Sequence, residues 1–115
     1  MLSLPPQVRV FLCTRATDMR KSFDGLSGLV AEVFHEELLS GHLFVFVNRR
    51  RDRVKILGWD RDGLAIWYKR LEAGTFQLPT RNAVNVELDA TELALLLSGI
   101  ELTSVRRRVR YRGPA

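Results

Sequence analysis

Val105 to Arg112 holds Arg106, Arg107, Arg108, Arg110 and Arg112, with no carboxylate among them. A guanidinium stays charged at any accessible pH and offers a planar fork of donors that fits phosphate oxygens. The 115-residue chain has 18 Lys and Arg against 13 Asp and Glu, a net charge of +5. The five tail arginines account for the whole excess, so a neutral body carries a basic arm. That is the footprint of a polyanion binder, set against the plainer reading of a solvated tail. A second run, Arg49, Arg50, Arg51, Arg53 and Lys55, surrounds a single Asp52. Placed on a hairpin tip it can lie across a phosphate backbone; its plainer reading is a charged loop that aids solubility. Two separate clusters weigh toward nucleic acid.

Other chemistries find little support. His35 and His42 are seven residues apart and Cys13 has no neighbouring Cys or His, so the paired ligands zinc requires are missing. Ser22, Ser27, Ser40, Ser98 and Ser104 lack a nucleophile-elbow context, and no glycine-rich phosphate loop appears. Asp18, Asp24, Asp60 and Asp62 could hold metal ions for phosphoryl transfer, but Asp60 and Asp62 read as turn formers, and Asp18 and Asp24 flank a helix start where carboxylates are favoured. The expectation is a protein without catalytic activity and without cofactor or metal. Phe44, Phe46, Trp59, Trp67 and Tyr68 would have to share an exposed sheet face to stack on bases; core packing is the stronger reading.

These residues need a scaffold. The length suits one domain with a real core. The lone Cys13 excludes an intrachain disulfide and fits a cytoplasmic protein. No apolar run approaches the roughly 20 residues of a membrane helix, and the start of the chain does not read as a secretory signal. Residues 8–13 read as a strand. Phe23, Leu26, Leu29, Val30, Val33, Phe34 and Leu38 line one face of a helix over 22–39, with Ser22 as its N-cap and Gly41 ending the pattern. Leu43–Val47, Arg53–Leu57 and Leu64–Lys69 follow as strands of an antiparallel meander. They are joined by the polar turn Asn48–Asp52 and by a turn at Trp59–Gly63 that pivots on Asp62-Gly63. Gly74 to Leu78 suggests a short edge strand, and Val84 to Leu88 alternates as a half-buried one. Asp89 and Glu92 form a capping box opening a second helix through Leu93, Leu95, Leu96 and Leu97 toward Gly99. The reading is an α+β domain over 1–104, an antiparallel sheet with two helices, followed by a basic tail over 105–115.

Three ordered stretches, Thr17–Leu26, Gly41–Leu57 and Trp59–Glu72, resemble the TnpB (Orf2-like) accessory proteins of the IS sixty-six family of bacterial insertion sequences. The likeness runs over roughly residues 8–79. It implies a role in transposition beside a separate, larger transposase that carries the catalytic residues, and no enzymatic activity of its own. The likeness implies the transposase and other proteins of the element as partners; the basic clusters add DNA, and no membrane is expected. Gly58, and Leu78 before Pro79, depart from aromatic positions common in that family. By motif, Asp18, Arg20 and Lys21 fall in the first signature, Arg49, Arg53 and Lys55 in the second, and Tyr68, Lys69 and Arg70 in the third. The expected nucleic-acid contacts are therefore Arg20, Lys21, Arg49, Arg50, Arg51, Arg53, Lys55, Lys69, Arg70 and the five tail arginines. If the helix starts near Ser22, Arg20 and Lys21 lie near its N-terminus, where backbone N–H groups add to an anion site. The rival reading is a protein–protein adaptor that docks on the transposase.

Overall fold

The computed structural model describes residues 7–36, 38–79 and 81–98. The tail and Gly99 lie outside the described residues. Five strands form one sheet in the order β4-β3-β2-β1-β5, with β1 Val10–Cys13, β2 Leu43–Val47, β3 Arg53–Asp60, β4 Gly63–Arg70 and β5 Asn85–Leu88. Helix α1, Phe23–Leu29, connects β1 to β2, and helix α2, Ala90–Ser98, follows β5. The class is α+β, and β2–β3–β4 is the antiparallel meander read from the sequence.

The sheet is mixed rather than wholly antiparallel, because β1 pairs with β2 in parallel, Val10 opposite Leu43. The connection between them carries a helix across the sheet and returns the chain to the end it started from, which forces a parallel neighbour. The central strands are consequently covered on both faces and read as continuous apolar runs. Phe11, Cys13, Phe44, Phe46 and Leu57 pack with Leu26, Val30 and Phe34 on the α1 side. Val10, Leu12, Val45, Val47, Val54, Ile56, Val86 and Leu88 pack with Leu93, Leu96 and Leu97 on the α2 side. Gly58 belongs to this packing, since a Cβ there would come within 2.7 Å of Leu43 Cδ2.

The first helix is shorter than its apolar stripe. After Leu29 it widens into a π-helical turn, Val30–Phe34, and His35 closes it in the left-handed region at φ 54°. Gly25 and Gly28, each costing about 1 kcal/mol of helix propensity, weaken the segment. Leu38 lies instead in a short 3-10 turn, Leu38–Ser40. Ser22 makes no side-chain cap. The second helix opens as read: Glu92 N–H donates to Asp89 Oδ1 at 2.7 Å and Asp89 N–H donates to Glu92 Oε1 at 3.1 Å. Such a cap is worth about 1 kcal/mol.

Two further expectations are corrected. Gly74–Leu78 forms no strand; Phe76, fully buried, plugs the α2-side core instead. The β3–β4 turn pivots on Arg61, at φ 58°, while Gly63 already pairs with Asp60 in the ladder.

Candidate nucleic-acid interface

The strand directions bring the far ends of β1, β2 and β4 and the near ends of β3 and β5 to one end of the sheet. Three connections emerge there, residues 14–22, the Asn48–Asp52 turn and the stretch described by residues 71–79 and 81–84. They carry Arg15, Arg20, Lys21, Arg49, Arg50, Arg51 and Arg81, with Arg53 and Arg70 at the adjoining strand ends. The opposite end carries Asp60, Asp62 and Asp89, with only Arg9 and Arg61 as cations among the described strand ends and tip there. Charge is thus separated along the strand axis.

Asn48 builds the hairpin tip. Its Oδ1 accepts the Asp52 and Arg53 N–H groups, each at 3.0 Å, and its Nδ2 donates to Asp52 Oδ1 at 2.7 Å. Arg51 N–H closes the turn on the Asn48 carbonyl at 3.1 Å. Arg49 and Arg50 are left as the exposed middle residues, and Arg51 takes the left-handed conformation at φ 58°. Such a conformation costs a non-glycine residue roughly 1 kcal/mol, and here the surrounding bonds hold it. The Arg51 carbonyl accepts Phe76 N–H at 2.6 Å, which ties the tip to the core.

The facing wall is the loop of the first signature. Thr17 N–H donates to Val47 C=O at 2.9 Å. Arg20 grips Asp18 through Nη2 at 2.6 Å and through Nε, and its own N–H donates to Asp18 Oδ1 at 2.9 Å. The Arg20 side chain, then its backbone N–H, pull the Asp18 carboxyl down to about 2, so it stays ionised across the physiological range. Beneath lies Lys55, only 8% exposed, whose Nζ donates to the Met19 and Lys21 carbonyls at 2.8 and 2.7 Å.

Between tip and wall runs a cleft of about 650 Å³ that brings together Arg20, Arg49, Arg50 and Arg53. Two depressions adjoin it. One joins Arg51 to Arg81 past Thr14, and the other joins Arg53 to Arg70 around Tyr68. Among the described residues Arg49, Arg50 and Arg51 have no ion-pair partner, whereas Arg20, Arg70 and Arg81 hold Asp18, Glu72 and Glu92.

Two lysines expected at this surface are spent elsewhere. Lys55 is the internal clamp just described. Lys69 Nζ donates to the Leu97 carbonyl at 3.1 Å, at the C-terminal end of α2. Lys21 is exposed, two residues ahead of α1. The arginines at 106–112 lie outside the described residues. Arg15 and Arg81 join the basic end without having been foreseen; each is a lone cation in the sequence, and only the topology gathers them. Phe44 and Phe46 are core, as read, with the Phe44 ring 5.7 Å from Phe11 and 5.2 Å from Phe34. Trp67 packs partly buried against the α2-side core, and Tyr68 stands 47% exposed beside the arginines. Among the described residues no three His, Cys, Asp or Glu side chains gather as metal ligands, and no helix is long and apolar enough to cross a membrane.

A family described as IS66 Orf2 like protein matches residues 8–107. Two proteins of Sinorhizobium fredii strain NGR234 are similar. Uncharacterized protein y4hO is 37% identical over 101 residues, covering 88% of this chain and 88% of its own length. Uncharacterized protein y4jC is 31% identical over 101 residues, covering 88% of this chain and 86% of its own. No solved structure matches.

Proposed function

Because this chain belongs to the IS66 Orf2 like family, we propose that it is a non-catalytic accessory protein of insertion-sequence transposition that grips DNA phosphates with the basic end of its sheet. The observation that carries this reading is the cleft lined by Arg20, Arg49, Arg50 and Arg53, with the three tip arginines unpaired among the described residues. Asn48 keeps the tip rigid, so little order is lost when a phosphate docks, and planar guanidinium groups suit it. Arg51, Arg81, Arg70 and the exposed Lys21 extend the contact to either side, and the tail arginines add a second hold. Lys55 and Lys69 act from within, as supports. Base reading is not part of the proposal; phosphate contacts position a protein without specifying sequence. A separate transposase does the strand chemistry.

The test is a titration of duplex DNA at rising salt with no other protein present. Log affinity falls linearly with log salt, by about 0.9 per phosphate contacted. The triple variant Arg49→Ala/Arg50→Ala/Arg51→Ala keeps the fold, weakens binding and flattens the slope by up to about 2.7. In the wild-type complex, amide exchange slows at Asn48–Arg53 and not at the Arg61–Asp62 tip. Absence of binding even at low ionic strength would reject this reading and leave the same arginines as a dock for an acidic surface of the transposase.

A further inference from the structure

The sheet has two edges, and they differ. β5 is four residues long, whereas β4 is eight. Bonding parity decides what β4 shows to the outside. Asp60 and Gly63 flank a two-residue tip, and at the other end Leu71 N–H donates to the Asp52 carbonyl at 2.7 Å. Bonded and non-bonded pairs alternate along an antiparallel ladder, so Gly63, Ala65, Trp67 and Lys69 bond inward to β3. Leu64, Ile66, Tyr68 and Arg70 therefore turn their N–H and C=O groups outward, and no described strand pairs with them. A long open edge is a template for another strand.

We propose that its occupant is β4 of a second copy of this chain, paired antiparallel about a two-fold axis at Ile66. Only outward-turned residues can form bonded pairs across the new seam, so even-numbered positions must meet even-numbered ones. Centring on Ile66 sets Tyr68 against the partner's Leu64, Trp67 against the partner's Ala65 and Arg70 against the partner's Asp62. An indole meets a methyl at Trp67 and Ala65, an aromatic meets an aliphatic at Tyr68 and Leu64, and a cation meets an anion at Arg70 and Asp62. Centring one residue later, on Trp67, would set two indoles against each other and Asp62 against the partner's Glu72. Like charges directly opposite are destabilising, whereas opposite charges and aromatic–aliphatic pairs stabilise. Arg70 already holds Glu72 of its own chain through Nε and Nη2. Its Nη1 makes no hydrogen bond among the described residues and can meet the partner's Asp62. A two-fold pairing of this kind closes on itself, leaving a ten-stranded sheet with a basic end at each extremity. The inference does not rest on the DNA reading; it concerns the outer edge of β4 and shares only Arg70 with that reading.

The full chain without nucleic acid provides the test. Light scattering over a concentration series reports a dimer. Asp62→Arg weakens dimerisation by about tenfold, because two cross-strand pairs turn repulsive, and Asp62→Arg/Arg70→Asp restores it. In a Cys13→Ala background, Ile66→Cys oxidises to a disulfide-linked dimer. Tyr68→Cys does not, since the two sulfurs would be offset by four residues, roughly 13 Å. A chain that stays monomeric throughout would overturn the proposal. So would a charge swap that fails to restore the dimer, or cross-linking through Tyr68→Cys instead of Ile66→Cys.

Discussion

Phe76→Ala lowers stability by about 3–5 kcal/mol, the cost of emptying a fully buried aromatic site. Phe76 is 0% exposed and belongs to the core cluster under α2, although it lies in a stretch with no regular structure. The loss reaches the candidate interface, because the same residue's N–H holds the Arg51 carbonyl at 2.6 Å. With the ring gone, the 71–79 segment loses its anchor and the tip loses one of its ties. Urea denaturation measures the effect as a lower midpoint at unchanged slope. A loss below about 1 kcal/mol would mean that the segment is not seated in the core as described.

Lys55→Met has the next largest effect, a loss of about 2–4 kcal/mol. Two short hydrogen bonds disappear, and the Met19 and Lys21 carbonyls lose their donor, while the methionine keeps most of the apolar stem's packing. On the DNA reading, affinity also drops, because the wall bearing Arg20 is no longer clamped to β3. The salt slope scarcely changes, since Nζ sits beneath the surface and touches no phosphate. Denaturation and salt titration of one variant thus separate an internal support from a contact residue. Wild-type stability, or a slope reduced by a full unit, would contradict this assignment.

What was legible in the sequence was local. The Asn48–Asp52 turn, the alternation over Asn85–Leu88 and the Asp89–Glu92 box follow from neighbours within a few residues, and the structure has each, with Val84 left exposed ahead of the strand. The family signatures were legible as well. The helix over 22–39 ran too long because its apolar stripe is continuous while its backbone is not: Leu26, Val30 and Phe34 are buried in one line, yet His35 turns left-handed. Phe76 looked like part of an edge strand because burial by a passing loop leaves no periodic trace. Lys55 looked like one more cation in a basic run. Its burial depends on carbonyls 34 and 36 residues earlier, which no local pattern encodes. The cleft was hidden for the same reason: Arg20 and Arg49 lie in separate motifs, and only the parallel crossover from β1 to β2 sets them face to face.

The separation of charge along the strands gives the molecule an electric dipole. On the DNA reading, a polyanion's field turns such a body before contact, so that each copy arrives end-on, like a peg, with its strands pointing at the duplex. A sheet standing on its end hides neither edge and neither helical layer. On that reading nucleic acid occupies the basic pole of each copy while the flanks stay open to protein, a second copy included, so that a small domain of this kind can bridge a strand of DNA and the machinery that acts on it.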